Sequence, residues 1–190
     1  MGKYVAIEGI DTTGKSTQIA LLLERYPNAI FTKEPSGDDF GRAIRALALH
    51  SDLDNLTQTM LFLADRANHT KRVLLPNIDA KRLVISDRSL ISGIAYCDSL
   101  SFDLALQMNR AVAKVPNLAV ILETNEAILR SRLSQKENDK IESRGLEYLL
   151  SVQNRVIKTA ESLGVKTLKI PCDEPKEYIL DIICEAIDSL

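Results

Sequence analysis

Five short apolar stretches, residues 4–8, 29–32, 83–86, 118–122 and 165–170, recur along the chain, and helical spacing fills the gaps between them. Lys15–Arg25 carries Ile19, Ala20, Leu22 and Leu23 on one face, and residues 40–49, 56–75, 102–113, 146–163 and 176–187 repeat the pattern. Strands rich in Val, Ile and Leu with helical crossovers predict a parallel five-stranded sheet covered on both faces, a three-layer α/β/α fold. Asp54 or Asn55 suits the N-cap of the long helix, and Gly164 suits a C′ position. Such sheets bind ligands beyond the carboxyl ends of their strands, so chemistry is expected just after Glu8, Thr32, Ser86 and Leu122.

The first of these places holds YVAIEGIDTTGKST, residues 4–17, with the spacing G-x-x-x-x-G-K-S at a strand-to-helix turn. Gly9 and Gly14 allow the backbone to approach phosphate closely. The N–H groups from Gly9 through Ile10, Asp11, Thr12, Thr13, Gly14, Lys15, Ser16 and Thr17 are then candidates to cradle the phosphates of a nucleotide donor, which the resemblance below makes ATP. Lys15 supplies charge to the β and γ phosphates, and the Ser16 hydroxyl is a candidate Mg²⁺ ligand. Asp87 ends an apolar strand in RLVISDR and is the second candidate metal residue; the alternative for it is an N-cap for the next helix. Arg88 beside it needs an anion to meet, and phosphate is the better account. The motif names the phosphoryl donor and leaves the acceptor open.

The remaining composition mostly excludes. The 190 residues suit one domain spanning 1–190, and a net charge of −2 from 24 basic and 26 acidic residues provides no general field for nucleic acid or anionic membrane. Cys97, Cys172 and Cys184 are far apart without C-x-x-C, against a disulfide framework or zinc site and in keeping with a reducing cytoplasm. No apolar stretch approaches the length of a membrane span, there is no room for a leader before the first strand, and Gly2 reads as a processing or cloning residue.

Four motifs, YVAIEGIDTTGKST, TKEPSGDDFGRAIR (32–45), LFLADRANH (61–69) and VISDRSLISGIAY (84–96), are similar in order and spacing to those of the thymidylate kinase family. The second half resembles it more loosely, through DKIE at 139–142. The resemblance implies a P-loop kinase that phosphorylates dTMP with Mg·ATP, a homodimer packed through helices near the acceptor site, and a short lid. It puts Phe62 against the thymine, Arg66 at the base edge, Arg45 and Arg88 on the phosphates and Asp11 at the 3′ hydroxyl. Ser92 would make a polar contact to the pyrimidine, Tyr96 would lie against C2′, and Glu34 and Pro35 would flank the pocket. From periodicity alone Phe62 reads as core ahead of a stacking residue, and only the motif match reverses that, while Glu34–Pro35 reads equally as a simple turn. Ser36, where the family usually has a second glycine, and Ser89 and Cys97 depart from its pattern. His50 and His69 read as surface or helix-face residues.

The phosphate loop carries no arginine, so transition-state charge must come from elsewhere. The charged stretch RSRLSQKENDKIESRG, residues 130–145, resembles a mobile lid, and Arg132, Lys136 and Lys140 join Lys15 and Arg88 as candidate catalytic cations; a solvated helix face is the alternative. A GTPase switch is disfavoured, because TNEA at 124–127 lacks the lysine and aspartate of a guanine-reading motif. Another nucleoside monophosphate or small metabolite is the runner-up acceptor.

Overall fold

The computed structural model describes residues 2–134 and 144–190. Five strands, β1 (Lys3–Glu8), β2 (Ile30–Lys33), β3 (Leu83–Asp87), β4 (Leu118–Glu123) and β5 (Lys166–Pro171), form one parallel sheet in the order β2-β3-β1-β4-β5. The expected strands are all present, each shifted or extended by about one residue, the usual uncertainty at element ends. β1 lies in the middle, with Val5 paired to Ile85 on one side and Leu118 on the other.

The faces follow the two-residue period. On β4, Ala119 and Ile121 join the cluster that includes Leu90, Ile91, Leu149 and Val152, whereas Leu118, Val120 and Leu122 join Leu22, Ile179 and Ile183. Helices α5 (Leu90–Ala95), α6 (Phe102–Val112), α7 (Glu126–Leu133) and α8 (Leu146–Ser162) supply one layer, and α1 (Lys15–Arg25) and α9 (Lys176–Asp188) the other. Helices α2 (Asp39–His50) and α3 (Asn55–His69) pack on one another.

Two helices follow their sequence signals closely. The Asp54 carboxylate caps α3 by accepting from the Leu56 and Thr57 amides, and Gly164 adopts φ 67° just past α8. The long helix expected over 56–75 is instead α3, a π-helical turn at Thr70–Leu74 and α4 (Leu75–Asp79). The wider turn, with the Leu75 amide donating to Thr70 O, leads into Pro76, which lacks the N–H that an α-helix would need there. Helices α5 and α7, of six and eight residues, are too short to show a helical period. Because α7 runs to Leu133, Arg130 and Arg132 stand on a helix rather than a lid, and residues 135–143, with Lys136 and Lys140, lie outside the described residues.

Gly2 is no incidental residue: it is buried, and a Cβ there would stand 2.2 Å from the Ile78 carbonyl oxygen. Among the described residues no helix is long and apolar enough to cross a membrane.

Candidate active site

The turn from β1 into α1 forms the cradle. Gly9 at φ 143° leaves no room for a side chain, since a Cβ would lie 2.8 Å from Leu122 O, and Gly14 at φ 88° caps α1 without a side-chain bond. The buried Lys15 ammonium donates to Gly9 O at 2.9 Å and Ile10 O at 2.8 Å. Burial, reinforced by Arg88, lowers its pKa to about 8, although Asp11 pulls the other way. Ser16, exposed, lines the same cleft of about 640 Å³ as Lys15, Asp87, Arg45 and Arg88.

Asp87 is the last residue of β3, and α5 is capped by the Ser89 hydroxyl accepting from Ile91 N, which removes the capping alternative for Asp87. Its Oδ1 is buried with no hydrogen-bond partner among the described residues. An unpartnered carboxylate oxygen and a hydroxyl in a phosphate cleft make a donor set that suits Mg²⁺, which takes few protein ligands and completes its shell with phosphate and water.

A second cavity, of about 410 Å³, adjoins the first, and Asp11, Glu34, Pro35, Arg45 and Arg88 line both. Phe62, half-buried on α3, faces it together with Arg66, Ser92 and Tyr96, so the i, i+4 pair opens on a cavity rather than on solid core. Arg66 is itself buried. Its Nε donates to Glu34 Oε2 at 2.6 Å and its Nη1 to Asn109 Oδ1 at 2.7 Å. Its guanidinium lies on Gly93, where a Cβ would come within 2.3 Å of Nη2. Burial pushes the Glu34 carboxyl up, but the Arg66 guanidinium and His69 outweigh it and hold the group below its ordinary value. Glu34 and Pro35, joined by a cis peptide bond, line both cavities. His69 also departs from its expected place. It is buried, with Nε2 2.6 Å from Thr32 Oγ1 and Nδ1 3.5 Å from Glu34 Oε1.

Arg88 joins the two cavities. At φ 68° it donates from Nη2 to Asp11 Oδ1 at 2.7 Å and from Nη1 to Gly9 O at 3.1 Å and Ser92 Oγ at 3.2 Å. Its guanidinium carbon stands 5.3 Å from the centre of the Tyr96 ring. The Tyr96 hydroxyl is buried without a partner among the described residues, and burial raises its pKa to about 12.

Sequence reasoning missed Glu8. This carboxylate, wholly buried at the end of the central strand, accepts from Ser89 Oγ at 2.6 Å and Ser92 Oγ at 2.5 Å. Burial raises its pKa, and the two hydroxyls hold it back. An acidic residue closing an apolar central strand was the available signal, because a buried carboxylate needs donors. The Ser92 hydroxyl proton is thus directed to Glu8 rather than into the pocket.

Ser36 fits because its hydroxyl lies 2.6 Å from Asp65 Oδ1 and 2.7 Å from Asp38 Oδ1, and its amide donates to Asp65 at 2.8 Å. The fit depends on Gly41, whose Cβ would otherwise stand 2.1 Å from Ser36 Oγ. Cys97 borders the second cavity near Thr59 and Ser99. At its far wall the Asp98 carboxylate is held by Arg144 at 2.8 Å and Arg155 at 2.5 Å, a cluster that no sequence motif marked.

Arg132 donates from Nη1 to Thr12 O at 2.8 Å and from Nη2 to Cys172 O at 3.1 Å, bracing the phosphate loop against the turn after β5. Arg130 pairs with Glu126 on the exposed side of α7.

Residues 7–183 match the family described as thymidylate kinase. The chain is 45% identical over 195 residues to the thymidylate kinase of Helicobacter hepaticus, covering 98% of this chain and 99% of that protein. It is 47% identical over 180 residues to that of Wolinella succinogenes, 93% of each. The crystal structure of thymidylate kinase from Ehrlichia chaffeensis shares the fold, with a TM-score of 0.77 over 98% of both chains at 23% identity.

Proposed function

The chain belongs to the thymidylate kinase family, and from that premise we infer that it transfers the γ-phosphoryl group of ATP to dTMP, giving dTDP, by direct in-line displacement. The observation that carries this reading is the shared wall of the two cavities, because Arg45 and Arg88 face the phosphate cleft and the adjoining cavity at once. An acceptor phosphate and a transferring phosphate would be neutralised by the same guanidinium groups, which bind phosphate bidentately. Lys15 leaves the Gly9 and Ile10 carbonyls to meet the β and γ phosphates. Phe62 stacks on the thymine, Arg66 donates to its edge, and Tyr96 closes the space beside C2′. Catalysis is positioning and charge neutralisation, without a covalent intermediate on the protein.

Ser16 and Asp87 would hold Mg²⁺, which would supply positive charge to the transferring phosphates when bound. Phe40 and Leu47 on α2 and Leu56 on α3 are exposed apolar residues on two helices that pack together, which supports a homodimer through that face; sedimentation of the wild type and a Leu47→Glu variant tests it. Three free cysteines support a cytoplasmic setting.

The test of function is ADP release with dTMP, dUMP, UMP, CMP and AMP as acceptors. dTMP is expected to give the highest kcat/KM, leading dUMP by the about 1–3 kcal/mol that a methyl group can supply. A higher value for any of the others overturns the assignment.

A further inference from the structure

Arg66 is held by Glu34 and Asn109, and Glu34 in turn faces His69, a residue that lines neither cavity. Phe62, Arg66 and His69 lie at i, i+4 and i+7 on α3, so one helical stripe runs from the acceptor cavity inward to the sheet. At the inner end the His69 side chain has no solvent exposure and stands between Thr32, within β2, and Glu34, just past its end. Its Nε2 is 2.6 Å from the Thr32 hydroxyl and its Nδ1 faces Glu34 Oε1 at 3.5 Å, while the other Glu34 oxygen accepts from Arg66 Nε at 2.6 Å. With the ring nitrogen Nε2 accepting from Thr32 Oγ1, the Nδ1 proton faces Glu34 Oε1 across 3.5 Å without a hydrogen bond among the described residues, an electrostatic contact rather than a bonded one.

We propose that His69 is a positioning residue for the acceptor base, setting the Glu34 carboxylate and through it the Arg66 guanidinium, so that it governs dTMP recognition without touching the nucleotide. The inference rests on Arg66 meeting the base edge. Two of the five Arg66 N–H groups are spent on Glu34 and Asn109. The rest are aimed only as well as Glu34 is held, because a guanidinium swings about its stem. Among the described residues no hydrogen bond reaches Glu34 Oε1, and the His69 ring is the ionisable group that faces it, so the ring is the orienting partner.

Steady-state kinetics of His69→Phe, His69→Gln, Thr32→Val and Arg66→Ala test this. His69→Phe keeps the ring's bulk and removes both nitrogens; KM for dTMP should rise by about tenfold or more, with KM for ATP within about twofold of wild type. His69→Gln, whose amide can donate to Glu34 and accept from Thr32, should recover most of the loss. Thr32→Val should produce a smaller split of the same sign, and it carries the test if the Phe variant does not fold. Equal changes in both KM values, no change in either, or a lowered melting temperature alone in the folded variants would overturn the proposal. Arg66→Ala separates the two readings: if it leaves KM for dTMP unchanged, the base-edge assignment itself fails. If it raises that KM while His69→Phe and Thr32→Val do not, only the His69 inference fails.

Discussion

Asp11, a carboxylate inside a phosphate cradle, is bonded to Arg88 across 77 residues of chain, Oδ1 to Nη2 at 2.7 Å. The pair answers the charge problem that the sequence poses, since an acidic side chain beside a triphosphate would otherwise add repulsion. It also ties the first turn after β1 to the first turn after β3, so the donor loop and the acceptor cavity share one cation.

Removing that tie leaves, among the described residues, the Arg88 Nη1 bonds to Gly9 O and Ser92 Oγ and the Tyr96 ring contact. Asp11→Ala should lower kcat by about tenfold or more with little loss of stability, since the pair is part-exposed. Asp11→Asn keeps a hydrogen bond without charge and should fall between. Unchanged kcat in the Ala variant would mean that Arg88 needs no such anchor.

Lys15 yields a pH prediction with two opposite signs. In the free protein its pKa is about 8, against the usual 10.5, because burial penalises the charge. Between those values the unfolded chain binds more protons than the folded one, so this group's contribution makes stability rise with pH across that window. ATP needs the ammonium, so its affinity should fall as pH rises through the same range. Calorimetric ATP titrations and denaturant melts measure the two slopes, and Lys15→Ala should abolish both this share of the pH dependence and phosphoryl transfer while folding normally. A folded Ala variant with near-normal turnover would refute the cradle.

Gly93 and Phe62 address the acceptor from two sides. An added methyl in Gly93→Ala meets a guanidinium that Glu34 and Asn109 already clamp, so it should raise KM for dTMP about ten- to a hundredfold through a misplaced Arg66. Phe62→Ala should weaken dTMP by about 1–3 kcal/mol through lost stacking. Both should leave ATP binding nearly unchanged; a parallel loss for ATP would assign these positions to core packing.

Arg132 should act through the loop it braces. Arg132→Ala frees Thr12 O and the turn at Cys172, and KM for ATP should rise by about tenfold while KM for dTMP stays put. A fall in kcat alone, with ATP affinity intact, would instead make Arg132 a direct donor of transition-state charge.

The amino-acid sequence by itself determined the strands, their parallel sense and the cradle, because those rest on local periodicity and on a motif whose geometry is built from neighbouring backbone groups. It also marked Phe62, Arg66, Arg88 and Tyr96, whose linear motifs place them on the walls of one cavity. What it left open depends on pairs distant in the chain. The place of β1 between β3 and β4 brings Glu8 to Ser89 and Ser92, and only that arrangement makes a buried carboxylate tolerable. The packing of α3 against the end of β2 turns His69 from a helix-face residue into a buried one, and the last turn of α7 beside the phosphate loop turns Arg132 from a lid charge into a brace. A buried polar group is defined by its partners, and partners 37 to 120 positions away are supplied by the tertiary structure alone.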